Sequence, residues 1–286
     1  MKTYVLSLLI LLMSVSIAHA QEDTSDLTPY EIAQQRITEA EESSTTELDL
    51  SYLGLTEIPP EIGNLSELTL LNLHGNELTN LPPELDSLSN LEWLLLSDNN
   101  LTDLPPSIGD FSKLISLFLE GNNLSTLPPE IGNLTTLEGL YLSYNDLNSL
   151  PVELENLSNL AILYVDQNEL TQLIPNMQNL SSLETLDIRS NQFEHLPSAL
   201  GTLQNLETLY MDDSLWEQIP EEIASLENTT DRTQATLAYM RNQAQWHLRR
   251  MLGSAVLMGA GIITVILLLV RRRRLERKPK QKRGEA

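Results

Sequence analysis

Few residues of this 286-residue chain have the types and spacing that enzyme chemistry requires. Of its four histidines, His74, His195 and His247 occupy unrelated positions, without a nucleophile or metal ligand at the spacing of a catalytic motif. A glycine-rich phosphate loop, an HExxH sequence and a GxSxG sequence are also absent. We therefore expect a protein that is not an enzyme and that uses neither a metal ion nor a cofactor.

Aromatic and acidic side chains at a regular spacing indicate recognition chemistry instead. Phe118, Tyr141 and Tyr164 lie 23 residues apart, and Tyr210 follows 46 residues later. Aromatic groups surrounded by polar ones are typical of binding surfaces. The predicted ligand contacts are Trp93, Leu95, Phe118, Glu120, Tyr141, Tyr144, Tyr164, Asp166, Tyr210 and Asp212.

The same interval organises the middle of the chain. From Leu48 the sequence aligns without gaps in eight rows of 23 residues, and the row from Leu71 is LNLHGNELTNLPPELDSLSNLEW. Alternating leucines such as Leu140 and Leu142 predict a short strand with both side chains on its buried side. The residue between them faces the opposite side, where most of the predicted contacts collect.

Proline pairs such as Pro82 and Pro83 exclude a second regular strand from each row, because proline has no backbone N–H to donate. One coil cannot bury its leucines alone, so successive coils must stack, with strands about 4.8 Å apart in a parallel sheet. We expect an α/β solenoid of eight coils over residues 48–231, with the parallel sheet on its concave face.

One asparagine in most rows follows the predicted strand. We expect its amide to bond to the backbone of its own and the adjacent coil, because an unsatisfied buried polar group costs about 1–3 kcal/mol. In the first and last rows the position holds Leu53 and Ser214, as expected where one neighbouring coil is missing. The predicted structural ladder is Asn76, Asn99, Asn122, Asn145, Asn168 and Asn191.

The repeated pattern L-x-x-L-x-L-x-x-N-x-L-x-x-L-P-x-x-I-G-x-L resembles the leucine-rich repeat family over residues 48 to about 226. It is most similar to the LPPEIGNL subtype of bacterial repeat proteins and plant disease-resistance proteins. The resemblance implies a horseshoe-shaped solenoid. It says little about function, because one fold supports many functions.

Both ends of such a stack need covers. TPYEIAQQRITEAEES predicts a helix in an N-terminal capping region, residues 21–47, with Thr28 as N-cap, Pro29 in the first turn and Glu31 completing a capping box. Downstream, Leu237 and Met240 begin an apolar stripe in a predicted juxtamembrane helix, residues 232–250. This helix either caps the last coil or continues into a membrane segment.

Three terminal segments predict export and anchoring. Residues 1–20 have the layout of a cleaved signal peptide. Residues 251–270 are uncharged and long enough to cross roughly 30 Å of hydrocarbon as a helix. Residues 271–286 hold nine Lys and Arg against two Glu, which predicts a cytoplasmic tail. We expect a single-pass type I protein of the cell membrane, with its repeat domain outside the cytoplasm.

The region between these segments is strongly acidic. Between Gln21 and Arg250 there are 38 acidic and seven basic residues, a formal charge of −31. Such a surface repels nucleic acid and favours cationic or neutral ligands. The chain has no cysteine, so disulfide bonds do not contribute to its stability.

We therefore expect recognition of a protein or peptide, or of a polysaccharide, through the concave face. A structural or adhesive component of the cell envelope without a discrete ligand is the alternative. Replacing Tyr141 or Tyr164 by alanine is expected to weaken partner binding with little change in melting temperature. The sequence leaves the oligomeric state open.

Overall fold

The computed structural model describes residues 27–224 and 230–240. Within these residues the main element is a parallel sheet of eight three-residue strands, each paired with the next in chain order. The strands are β1 (Glu47–Asp49), β2 (Leu70–Asn72), β3 (Trp93–Leu95), β4 (Ser116–Phe118), β5 (Gly139–Tyr141), β6 (Ile162–Tyr164), β7 (Thr185–Asp187) and β8 (Thr208–Tyr210).

Every pair of strands has the same register, in which each residue lies opposite the residue 23 positions later. Leu71, for example, pairs with Leu48 on one side and with Leu94 on the other. One repeat of the sequence therefore builds one step of the sheet. The predicted parallel sheet is confirmed.

Short 3-10 helices lie in the segments between the strands, where the prolines exclude a second sheet. They span Pro60–Asn64, Pro83–Ser87, Pro106–Asp110, Pro129–Asn133, Val152–Asn156, Met177–Asn179 and Ser198–Thr202.

Glycine permits close contact between neighbouring coils on this side. A Cβ atom added to Gly132 would lie 2.3 Å from the carbonyl oxygen of Glu153 in the next coil. The spacing of these two coils at this point thus requires glycine.

A continuous apolar core lies between the sheet and the 3-10 helices. Leucines on the inner side of the strands, including Leu71, Leu94, Leu117 and Leu140, have no solvent exposure. The core extends from Ala33 at the N-terminal end to Met240 at the C-terminal end. Stacking of coils therefore buries what each coil would expose alone.

Helix α1 (Pro29–Ser43) packs on the N-terminal end of the core. The predicted capping box is present: the Thr28 hydroxyl accepts from the Glu31 N–H at 3.3 Å, and the Glu31 carboxylate accepts from the Thr28 N–H at 2.8 Å. Ala33, Ile37 and Ala40 are its buried residues.

The C-terminal end of the core is covered by helix as well. After α2 (Asp213–Trp216) and α3 (Glu221–Ala224), residues 230–240 form helix α4. Leu237 and Met240 of α4 are buried in the core, and Gln234 Nε2 donates to the Leu206 carbonyl oxygen at 2.6 Å. The described part of the segment 232–250 therefore packs on the last coil.

The predicted signal peptide (1–20), membrane helix (251–270) and basic tail (271–286) lie outside the described residues, as do residues 241–250. In the described part of the chain, no helix has both the length and the apolar character needed to cross a membrane.

Candidate functional site

The side of the sheet that faces away from the leucine core is called here the open sheet face, and it corresponds to the predicted concave face. The last residues of β3 to β8 lie opposite one another in register and form one line across it. This line contains Leu95, Phe118, Tyr141, Tyr164, Asp187 and Tyr210.

Three rings in the middle of this line, Phe118, Tyr141 and Tyr164, form the aromatic row. Phe118 and Tyr141 are stacked, with centroids 4.4 Å apart and planes 2° apart. Tyr141 and Tyr164 meet edge to face at 5.5 Å. Both geometries are favourable for aromatic pairs. Gly139 provides room for the central ring, because a Cβ there would lie 2.9 Å from Tyr141 Cε2.

Solvent exposure separates the members of the line. Tyr141 is only 6% exposed and Leu95 is also buried, whereas Phe118 and Tyr164 are half-buried and Tyr210 is 40% exposed. Tyr141 therefore supports its neighbours more than it presents its own surface. The sequence predicted little change in melting temperature for Tyr141→Ala, but the burial of Tyr141 leads us to expect a loss of stability. Tyr164 keeps an accessible surface.

Burial also changes the acidity of these phenols. It raises the pKa of Tyr141 to about 12, with smaller contributions from the neighbouring Tyr164 and Glu120. The pKa of Tyr164 is raised for the same first reason, and then by Tyr210 and Asp187. Both hydroxyls are thus neutral hydrogen-bonding groups at physiological pH.

Two residues beyond the aromatic positions, a second line crosses the same face. The backbone ladder continues there: the Asp98 N–H donates to the Glu120 carbonyl oxygen and the Tyr144 N–H to that of Asp166. Hydrogen-bond donors alternate with acids along this polar row, which consists of Ser97, Glu120, Ser143, Asp166, Arg189 and Asp212.

Serine hydroxyls hold two of these acids. Ser97 Oγ donates to Glu120, and Ser143 Oγ donates to Asp166. Burial nevertheless raises the pKa of Glu120 and the pKa of Asp166, because it disfavours the charged form more than the serine bonds favour it. The sequence placed the acids on this face but missed their serine partners.

Arg189 is a charged residue of this face that the sequence analysis missed. Its Nε donates to Asp187 Oδ1 at 3.0 Å and its Nη2 to Asp187 Oδ2 at 2.5 Å. The guanidinium also lies 5.0 Å from the centre of the Tyr210 ring. Asp212 accepts from the Ser190 N–H at 2.9 Å. Arg189 lies two residues after the last residue of β7, as Glu120 does after the last residue of β4, and this position was the signal that could have identified it.

Tyr52 and Tyr144 lie beside the aromatic row and not in it. They occupy equivalent positions with left-handed backbone, φ 55° and 57°, and are 72% and 62% exposed. The Tyr52 ring meets His74 edge to face at 4.8 Å, and its hydroxyl bonds to His74 Nε2. Tyr144, a predicted contact, is therefore separate from the stack. Trp93, at the start of β3, is half-buried.

The asparagines after the strands have structural contacts. Asn122 Oδ1 accepts from the Leu101 N–H at 3.0 Å, while its Nδ2 donates to the carbonyl oxygens of Leu96 and Leu119 at 3.0 and 3.1 Å. Equivalent bonds form at Asn76, Asn99, Asn145, Asn168 and Asn191.

Within residues 27–224 and 230–240, no cluster of three or more histidine and acidic side chains has an arrangement that could hold a metal ion.

Comparison with protein-family models agrees with the repeat geometry. A model described as leucine-rich repeat region matches residues 107–192, and two models described as leucine rich repeat match residues 43–101 and 182–203. The chain belongs to the leucine-rich repeat family. Comparison with curated protein sequences finds no significant match to this leucine-rich repeat chain.

Solved leucine-rich repeat structures resemble part of it. An ectodomain of the Arabidopsis thaliana membrane receptor kinase GASSHO1/SCHENGEN3, in complex with Casparian strip integrity factor 2, is 38% identical with a TM-score of 0.52, covering 58% of this chain and 21% of that one. A Listeria monocytogenes internalin is 25% identical with a TM-score of 0.50, covering 64% and 52%.

A leucine-rich repeat protein from Leptospira interrogans is 35% identical with a TM-score of 0.48, covering 60% of this chain and 56% of that one. The chain thus spans between about a fifth and just over half of these relatives.

Proposed function

We propose that this chain is a membrane-anchored leucine-rich repeat protein that recognises a protein or peptide partner outside the cytoplasm through its open sheet face. The observation that carries the proposal is the aromatic row, in which the buried Tyr141 holds Phe118 and Tyr164 in place. Large, partly exposed rings on a rigid support are the usual anchors of protein interfaces.

The support under these rings favours binding energetically. Each ring belongs to the last residue of a strand in a hydrogen-bonded sheet, so its position varies little. Because the rings are already packed against each other, a partner would order few additional side chains on this surface. Preorganisation of this kind lowers the entropy cost of association.

A solved relative supplies a precedent. The Arabidopsis thaliana receptor kinase ectodomain was solved in complex with Casparian strip integrity factor 2. We extend from it only the general use of the fold as a surface for partners. The membrane anchor and the outward orientation rest on the charge and hydropathy of residues 1–20 and 251–286.

The test is affinity capture with the full-length chain, followed by titration of the identified partner against wild type and a Trp93→Ala/Tyr164→Ala variant. We expect saturation at one partner per chain and a loss of affinity of at least about tenfold in the variant. Val152→Ala removes an exposed apolar side chain elsewhere and is the matched control.

The melting temperature of each variant separates binding from folding. Weak, salt-sensitive association that never saturates, and that is equal in the wild type and both variants, would favour the structural or adhesive alternative.

A further inference from the structure

Three neighbouring strands pair an aromatic ring with an oxygen-bearing side chain two residues later. The pairs are Phe118 with Glu120, Tyr141 with Ser143, and Tyr164 with Asp166. Because adjacent strands are about 4.8 Å apart, the outer two carboxyl groups are separated by about 10 Å along the sheet. Two residues of strand place them about 7 Å from the rings.

Both carboxyl groups are held in place without being neutralised. Glu120 and Asp166 each accept one serine hydroxyl, and both side chains are only half-buried, so further oxygen lone pairs are available to a ligand. No cation among residues 27–224 and 230–240 forms an ion pair with either group.

The surroundings add negative charge. Burial is the main reason that the pKa of both groups is raised; Asp98 adds to this at Glu120 and Asp187 at Asp166, so like charges lie near both groups. His74 lowers the pKa of Glu120 and Arg189 lowers that of Asp166, but each of them contacts a different acid, Asp98 for His74 and Asp187 for Arg189. A cation from outside the chain would relieve this repulsion, whereas an acidic partner would increase it.

We infer that the partner of the open sheet face is an extended peptide segment that sets an apolar or aromatic side chain against Phe118 and Tyr164 and two lysine or arginine side chains, about 10 Å apart, on Glu120 and Asp166. This inference rests on the proposed function. It assigns the partner's charge and the residues that select it.

The charge of the whole region supports the same occupant. The formal charge of −31 between Gln21 and Arg250 repels acidic segments at long range and attracts basic ones. Contact at the polar row then distinguishes a specific site from general attraction, because Glu120 and Asp166 lie two residues after Phe118 and Tyr164 and neither is in an ion pair within the described residues.

The experiment uses the full-length chain and three synthetic peptides of equal length with blocked ends. The first is a proline-rich peptide with two lysines three residues apart and a phenylalanine between them, because a polyproline II segment places such lysines on one side about 9 Å apart. The second has glutamine in place of both lysines, and the third has glutamate. Binding is measured by titration to wild type, to a Glu120→Gln/Asp166→Asn variant and to an Asp146→Asn/Glu169→Gln control.

The control removes the same charge from exposed positions immediately after two ladder asparagines. All three proteins keep the nine basic residues of the tail, so any competition from the tail is equal.

We expect the lysine peptide to bind wild type and the control within about twofold of each other, and the Glu120→Gln/Asp166→Asn variant at least about tenfold more weakly. The glutamine and glutamate peptides should bind wild type weakly, with an affinity no higher than that of the Glu120→Gln/Asp166→Asn variant for the lysine peptide. Lowering the pH should also weaken binding, because it protonates Glu120 and Asp166. Since the pKa of each acid is raised, this loss of affinity should begin at a higher pH than it would for ordinary carboxylates.

Equal losses of affinity in the Glu120→Gln/Asp166→Asn variant and in the control would show general charge attraction and would overturn the inference. Unchanged affinity in both proteins would overturn it as well. If the captured partner depends on Trp93 and Tyr164 but not on Glu120 and Asp166, the proposed function stands and only this inference fails.

Discussion

Tyr141 faces the open side of the sheet and is nevertheless buried. Phe118 stacks on one side of it, Tyr164 meets the other, and Gly139 leaves room for its ring. A residue in this position contributes to stability whether or not a ligand binds. In the proposed recognition, Tyr141 supports the two more accessible rings.

The acidity of Tyr141 gives a direct test of this burial. Its pKa is about 12 in the folded chain against 10.0 for an ordinary tyrosine, so the folded state holds the proton more tightly. The stabilisation is complete below pH 10 and is lost as the pH rises towards 12. At most about 3 kcal/mol of unfolding free energy should disappear over this interval.

Chemical denaturation of wild type and Tyr141→Phe at pH 9 to 12 measures this loss as the difference between the two proteins. Tyr144→Phe, at an exposed tyrosine, is the control and should follow wild type. Parallel curves for wild type and Tyr141→Phe would show that the hydroxyl is not buried as described.

At the scale of elements, the asparagine ladder joins each strand to the next coil. Each amide bonds to a backbone N–H and a carbonyl oxygen from the preceding coil and to a carbonyl oxygen of its own. The ladder therefore satisfies the backbone where the chain leaves the sheet and its regular pairing ends.

Asn122→Ala should consequently be destabilising by about 3 kcal/mol or more, because it leaves the Leu101 N–H and two carbonyl oxygens without partners. Asn191→Ala should cost less, since the equivalent groups there are only partly buried and water can reach them. Urea unfolding of both variants provides the comparison. Equal costs at the two sites would mean that burial does not control the energy of the ladder.

At the scale of the described repeat unit, one core connects both end helices. Ala33 and Ile37 of α1 and Leu237 and Met240 of α4 belong to the same buried cluster as the strand leucines. Removal of an end cover should therefore weaken the adjacent coil first, because repeat proteins are stabilised mainly by contacts between neighbours.

Leu237→Ala tests whether α4 is part of this fold. The side chain is fully buried, so we expect a loss of about 2–5 kcal/mol. Hydrogen exchange should become faster in β8 before it does in β1. Val152→Ala, an apolar truncation at an exposed position, should change neither stability nor exchange. Unchanged stability in Leu237→Ala would instead indicate that residues 230–240 are not needed to cover the last coil.

Several features of this protein follow from local pattern alone. The period of 23 residues, the alternating leucines and the prolines that exclude a second strand predict a parallel sheet with a fixed register, because each depends on backbone chemistry that neighbouring residues share. The helix start at Thr28 is equally local, since its capping box uses residues three positions apart.

Other features are decided only in three dimensions. The burial of a ring in the aromatic row depends on its neighbours from the two adjacent strands. Tyr141 and Tyr164 occupy equivalent positions in the repeat, but Tyr141 is buried and Tyr164 is accessible. The Ser97–Glu120 and Ser143–Asp166 pairs and the restraint of Arg189 by Asp187 likewise require the distances between side chains. The sequence by itself determined the repeat and the face on which these residues lie, because both follow from periodicity. Only the tertiary structure decided which of them are exposed and which are already bonded, because exposure and bonding depend on contacts between coils.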